Sequence, residues 1–314
     1  MFSMWTASNT PPLIRPARRG GCGTIWQLDT GDAGIPDAAW CPERAARARH
    51  RGKAAPAWFA SERGAADALE RARRLPPWLW LAPREDAFVR RAHPDRRRVV
   101  TAIARHALRP GVDVALTTRG GLRQAGDLVQ LAREFPARLA VRVGVFSRHP
   151  AVVDQWEAGL APTSQRVALA AALQAAGADV TVELGPIIPF VNDDPRMLRM
   201  LARQLARAGL RAVTPRWIED APHLLEQVQR EVSRSASRLL GGWLGQPGAS
   251  GPGGRRVIAL HARRPRRQRL HEAVRGFGLA VSECRCAHDG ASVCCPVAPR
   301  GAASPQLELF KAGA

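Results

Sequence analysis

Residues 156–192, WEAGLAPTSQRVALAAALQAAGADVTVELGPIIPFVN, constrain the fold more than any other stretch. The spacing predicts a loop, a helix, a strand and a second loop, in that order. Ser164 is placed to cap a helix in which Val167, Leu169, Ala170, Leu173 and Ala176 form an apolar stripe. Gly177 then stops the helix, and Val180, Val182 and Leu184 alternate as a strand. Two prolines stiffen the loop that follows, which ends in Asn192 and Asp193. This is one α-to-β step of a parallel sheet, and in such sheets ligands gather at the C-terminal ends of the strands.

The same rhythm recurs along the chain. Strands are expected at Thr24–Asp29, Trp78–Leu81, Val112–Leu116, Leu139–Phe146 and Leu210–Val213. Helices are expected over Phe59–Arg73, from Asp95 to Leu108, around Leu128 and Leu131, and from Asp194-Pro195 to Ala208. Leu224, Leu225, Val228, Val232, Leu239, Leu240 and Trp243 then stripe a last amphipathic helix. Alternation of this kind predicts an α/β fold with a parallel sheet, either a partial barrel or a doubly wound sheet. Periodicity does not choose between the two.

Composition divides the rest. Residues 1–22 are rich in Pro, Gly and Arg and read as a basic arm; 23–245 hold the repeating units. Residues 246–256 read as a flexible linker. In 257–298 a strand is expected at Val257–Leu260 and a basic helix over Arg263–Phe277, ahead of a Cys-rich segment, and 299–314 read as a disordered tail. Hydrophobic content of 46% argues against a largely disordered chain. No apolar run is long enough to cross a bilayer, and the start lacks the apolar core of a signal peptide, so the protein is expected in the cytoplasm. The formal charge is +20, from 47 basic and 27 acidic residues, which favours a polyanionic partner such as nucleic acid or, on the plainer view, a solvated basic face.

Several residues in these positions resemble a known family. Glu157, Ala161-Pro162, Arg166, the turn after Ala176 and the PIIP loop with Asn192-Asp193 look like the second half of radical SAM proteins of the spore-photoproduct-lyase-like group. The resemblance implies a partial (β/α)6 TIM-like barrel with a four-iron cluster and S-adenosylmethionine at its mouth. It also implies which residues line that mouth. Glu85 and Asp86 match the acidic turn after the second strand, and Thr118-Arg119-Gly120 a Thr-Lys-Ser after the third. Glu157 with Arg166, and Asn192, match the later loops, while Arg142 stands where the family carries small or hydroxyl residues. Read without the family, Glu157 and Arg166 form a structural ion pair and Asn192 a turn.

The cluster itself requires C-x3-C-x2-C after the first strand, three thiolates leaving one iron open for the cofactor. Cys41 follows Trp40 at the third of these positions, but Gly34 and Ala38 occupy the other two, and Cys22 lies upstream of the strand. Cys41 alone otherwise reads as a small core thiol. A second group of soft ligands, Cys284, Cys286, His288, Cys294 and Cys295, suits zinc or an auxiliary iron–sulfur site. Related barrels carry a C-x-C near the C-terminus with a further cysteine beyond, around Lys-Asn-Pro-Asp, which Ala-His-Asp-Gly replaces here. An iron–sulfur cluster in this chain would draw on Cys41 together with the tail cysteines.

Arg255, Arg256, Arg263, Arg264, Arg266, Arg267 and Arg269 form a dense run suited to phosphate contacts, though no base-reading element accompanies them. Two functions follow as expectations. One is a divergent radical-SAM-like protein that acts on or binds nucleic acid, its ordinary radical chemistry in question because two cluster cysteines are absent. The other is a non-enzymatic nucleic-acid-binding protein with a structural metal site in its tail. A metabolic enzyme using Glu85 or Glu157 as a base has no motif behind it.

Overall fold

The computed structural model describes residues 14–18, 24–28, 38–41, 44, 62–71, 76–82, 86–90, 92, 94–249 and 256–282. Its sheet has eight strands: β1 (Ile14–Arg18), β2 (Thr24–Leu28), β3 (Trp78–Leu81), β4 (Asp113–Thr118), β5 (Leu139–Val145), β6 (Asp179–Ile187), β7 (Ala212–Trp217) and β8 (Ala280–Val281). They lie side by side in sequence order, β1 antiparallel to β2 and every later pair parallel. A doubly wound sheet would reverse its order at a switch point. Here the order never reverses, so crossovers of one hand place their helices on one face and the sheet curls into a partial (β/α)6 TIM-like barrel.

The helices are α1 (Glu62–Arg71), α2 (Pro94–Leu108), α3 (Leu122–Glu134), α4 (Pro150–Trp156), α5 (Thr163–Ala175), α6 (Pro195–Arg207), α7 (Leu224–Glu231), α8 (Arg234–Leu244) and α9 (Leu260–Arg275). The period of two in each strand separates two faces. Val114 and Leu116, Val141, Val143 and Val145, Val180, Val182 and Leu184, and Val213 turn one face into an apolar layer that joins the core with Ile103, Leu128, Leu131, Leu169, Leu173 and Leu205 of the helices. The register pairs Ala115 with Ala140, Thr117 with Arg142, Arg142 with Thr181, and Gly144 with Glu183. The other face is therefore built of small, polar and charged residues, and it is the barrel's interior.

Several boundaries differ from the expected ones. Helix α5 begins at Thr163 behind Pro162, not with a cap from Ser164; Thr163 Oγ1 donates to the Ser147 carbonyl at 2.5 Å instead. The striped segment after β7 is two helices, because Ser233 accepts from Ala236 N at 3.0 Å and caps a second start. Val257 makes only an isolated bridge to Glu219, and Leu260 opens α9 instead of closing a strand. Strand β7 runs on through Pro215, which is tolerated because β8 covers only Ala212 and Val213, leaving Pro215 with a neighbour on one flank. Asp194 does cap α6, accepting from Met197 N at 2.9 Å.

Residues 14–18, within the stretch read as an arm, pair along β2. Residues 257–281, read as an appendage, add a helix and a strand to the barrel: Ala262, Leu270, Ala273 and Val274 of α9 join the core, and β8 extends the sheet. Among the described residues no helix is long and apolar enough to cross a membrane.

Candidate functional site

The interior face brings charged side chains of successive strands together at their C-terminal ends. Arg119, just beyond β4, donates to Glu183 Oε1 of β6 at 2.8 Å and to Glu157 Oε1 at 3.4 Å. Arg166 of α5 closes on the other oxygen of Glu157 at 2.7 Å and donates to the Ala161 and Gly144 carbonyls. Arg142 of β5 and Arg216 of β7 flank Glu183 at 3.7 and 3.5 Å. Arg119, Arg142, Arg166, Glu157 and Glu183 are all buried, and Arg216 is partly exposed. Arginines outnumber carboxylates in this network, and the imbalance shows in Glu183. Burial works against the charge on Glu183, yet Arg216, Arg119 and Arg142 outweigh it and hold the carboxyl below the usual range. Burial likewise lowers Arg119, against the pull of Glu157 and Glu183.

The loop at residues 38–41 closes over this network. Trp40 donates its indole N–H to Glu157 Oε1 at 3.2 Å, and the Arg119 guanidinium lies 4.4 Å from the Trp40 ring centroid. Phe146 stacks behind Trp40 and against Trp156. Ala39 N donates to the Trp156 carbonyl at 2.8 Å, while Gln227 Nε2 donates to the carbonyls of Ala39 at 3.0 Å and Cys41 at 3.2 Å. Ala38, Trp40 and Cys41 are buried. A small cavity of about 20 Å³ lies beside Arg142, Ala115, Ala140 and Thr181.

Asp86 and Asn192 do different work. Asp86 accepts from Thr118 Oγ1 at 2.8 Å, Arg119 N at 2.6 Å and Phe88 N at 3.0 Å, and so fixes the turn from which Arg119 departs. Burial nevertheless raises its carboxyl above the ordinary value, against those hydrogen bonds. Asn192 donates to the Phe146 and Pro186 carbonyls and accepts from Ile188 N, tying the ends of β5 and β6. Asp86, Thr118, Arg119, Glu157 and Arg166 are thus one connected cluster, with Asn192 beside it as a backbone clamp. Glu85 lies outside the described residues, as do Cys284, Cys286, His288, Cys294, Cys295 and Arg255.

Sequence reasoning missed Glu183, Arg216 and Gln227, and named Trp40 only as the residue before Cys41. Glu183 and Arg216 carry a signal in retrospect, a charge at an inward position of an otherwise apolar strand, as Arg142 does. Gln227 carries none, because its role depends on a loop nearly two hundred residues away.

A four-iron cluster does not fit the loop at 38–41. A cluster needs three thiolates, whereas these four residues offer one, Cys41, with the methyl of Ala38 buried beside it. Beside it the Arg119 guanidinium lies 4.4 Å from the Trp40 ring centroid. Among the described residues no group of three or more His, Cys, Asp or Glu is arranged for a metal ion.

Helix α9 presents the basic run. Arg264, Arg269 and Arg275 are exposed, and a groove of about 450 Å³ is lined by Arg264, Arg267, Gln268, His271, Glu272 and Arg275. Two arginines of the run are spoken for. Arg263 is buried, and Arg266 donates through Nε to Asp193 Oδ2 at 2.9 Å. Arg256 is exposed, its carbonyl accepting from Asp220 N.

No family model matches the chain. Uncharacterized protein Rv2578c of Mycobacterium tuberculosis and Uncharacterized protein Mb2609c of Mycobacterium bovis are each 32% identical to it over 124 residues, 36% of this chain and 36% of theirs. The match thus spans about a third of those relatives. Among solved structures, a spore photoproduct lyase variant superimposes with a TM-score of 0.60 at 14% identity, over 84% of this chain and 77% of its own. A second variant, with bound AdoMet and dinucleoside spore photoproduct, gives 0.57 at 13% identity over the same shares. The likeness is one of fold, the partial barrel shared with the spore photoproduct lyase structures.

Proposed function

We propose that this chain is a nucleic-acid-binding protein on a radical-SAM-like barrel, divergent from the spore-photoproduct-lyase group and without its ordinary radical chemistry. The observation that carries the reading is the exposed arginine face of α9, on a barrel whose interior carries Arg119 laid on Trp40. The solved neighbour with a dinucleoside spore photoproduct bound supports it, since a nucleic-acid-derived molecule is accommodated on the same fold. Excess charge supports it too: a face of exposed guanidiniums binds phosphates and releases counterions as it does so. The tail cysteines would then hold a structural zinc.

Two measurements on the full chain test this. Protein purified without oxygen is expected to carry no iron or sulfide and to give no heat with S-adenosylmethionine in calorimetry. Oligonucleotide binding is expected to weaken steeply and log-linearly with added salt. About four irons with sulfide and tight S-adenosylmethionine binding would overturn the loss of radical chemistry. Failure to bind single- or double-stranded DNA or RNA at low salt would overturn the nucleic-acid reading.

A further inference from the structure

Phe190, in the loop between β6 and α6, is 74% exposed and has a left-handed backbone, φ 65°. A bulky aromatic residue is rarely found there, and an exposed ring gains little from burial in return. The surroundings hold it in place all the same. Asp193 accepts from Phe190 N at 2.6 Å through Oδ1 and from Arg266 Nε at 2.9 Å through Oδ2. Arg266 in turn lies 5.3 Å from the Phe190 ring centroid and 4.6 Å from that of Trp243, and the two rings stand 5.8 Å apart with a tilt of 37°. One carboxylate thus ties the loop to α9, and Arg266 carries the contact on to Trp243 of α8.

We propose that Phe190, backed by Trp243 and Arg266, is a stacking platform for an unpaired nucleobase of a single strand whose phosphates lie along α9. This rests on the nucleic-acid reading and adds to it the kind of strand and the place where a base is held. The setting favours that occupant over an apolar protein surface. The charged group against the ring is the Arg266 guanidinium, on a helix that also exposes Arg264 and Arg269; an apolar partner would desolvate it, whereas an anionic strand suits it. A base offers a flat π-face whatever its identity, so stacking on Phe190 would add affinity without reading sequence. In a duplex the bases are already stacked on one another and the platform has nothing to hold.

The test compares the full-length parent with Phe190→Gly and Phe190→Trp. Glycine accepts the left-handed backbone freely, so Phe190→Gly is expected to keep the parent's circular dichroism and melting temperature. Its affinity for a labelled oligothymidylate of about a dozen nucleotides is expected to fall about tenfold or more. Duplex affinity and the salt slope should not change, because the phosphate contacts remain. Phe190→Trp should retain single-strand affinity. An oligonucleotide of the same length with abasic sites provides the control that leaves the protein unaltered: it should bind the parent as weakly as the intact strand binds the glycine variant. Equal single-strand affinity of parent and Phe190→Gly, or equal affinity of the parent for intact and abasic strands, would overturn the platform while leaving nucleic-acid binding intact. A parent that binds neither strand form at low salt would bring down both.

Discussion

A Cβ atom at Gly144 would lie 2.6 Å from Cζ of Arg119 and 2.9 Å from its Cγ, so the bare glycine on β5 is what lets Arg119 lie across the barrel's interior. Nothing about the Gly144 backbone demands glycine; the requirement is for space. The arginine cannot simply swing aside, because its guanidinium is bound to Glu157 and Glu183 and covered by Trp40. Gly144→Ala is therefore expected to overpack the interior and cost about 1–3 kcal/mol in urea unfolding. A variant as stable as the parent would mean that Arg119 relocates freely and that the mouth is open to occupation.

Removing one carboxylate from the network should cost more. Glu183 faces Arg119, Arg142 and Arg216, and Glu183→Gln leaves those guanidiniums short of a counter-charge in a buried place. Breaking a buried ion pair from one side costs about 3–5 kcal/mol. Asp95 pairs with Arg98 on the exposed start of α2, and Asp95→Asn is expected to stay within about 0.5 kcal/mol. Similar losses for the two variants would show that the interior network is hydrated and loosely coupled.

Acid should undo the same contact. The arginines hold the folded-state Glu183 below its ordinary value, so at mildly acid pH the unfolded chain binds a proton there before the native one does. The stabilisation is fully present above the unfolded value of about 4.3 and is lost as pH falls through the lower, folded one. Asp86 runs the other way: its raised value means that its charged form opposes folding as pH rises through it. Urea titrations from pH 6 to 3 are expected to show a stability loss in the parent that is smaller in Glu183→Gln. An identical slope in both would assign the acid sensitivity elsewhere.

The alternation of apolar residues made the barrel's outer layer legible, because Val180, Val182 and Leu184 or Val141, Val143 and Val145 pack on helices in a pattern that sequence carries directly. The interior was legible only where a family resemblance pointed. Glu157, Arg166 and Arg119 were singled out that way, whereas Glu183 and Arg216 required knowing which strand face turns inward. The direction of strand order, which rules out a doubly wound sheet, has no local signature. Phe190 was hidden for a related reason: the sequence places it in the loop after PIIP, but its left-handed backbone and its clamp by Asp193 have no sequence signature. Ser233 shows the reverse case, a capping residue inside an apolar stripe whose local hydrogen bond overrode the stripe.

The arginines of α9 offer a test in which burial separates contact from scaffold. Arg264 and Arg275 are exposed on the groove, whereas Arg263 is buried, and burial lowers its guanidinium with help from the nearby charge of Arg267. If the groove holds a strand, each exposed arginine that neutralises a phosphate contributes about one unit to the dependence of log affinity on log salt. The double variant Arg264→Ala with Arg275→Ala is then expected to lower the slope by about two, weaken all sequences alike, and leave thermal stability near the parent's. Arg263→Met should do the opposite, changing stability while keeping the slope, since its side chain does not reach solvent on that face. Fluorescence anisotropy over a salt series on the three proteins measures both quantities. A slope unchanged in the double variant would move the strand off α9, and a slope lowered by Arg263→Met would mean that the helix face described as buried opens when nucleic acid binds.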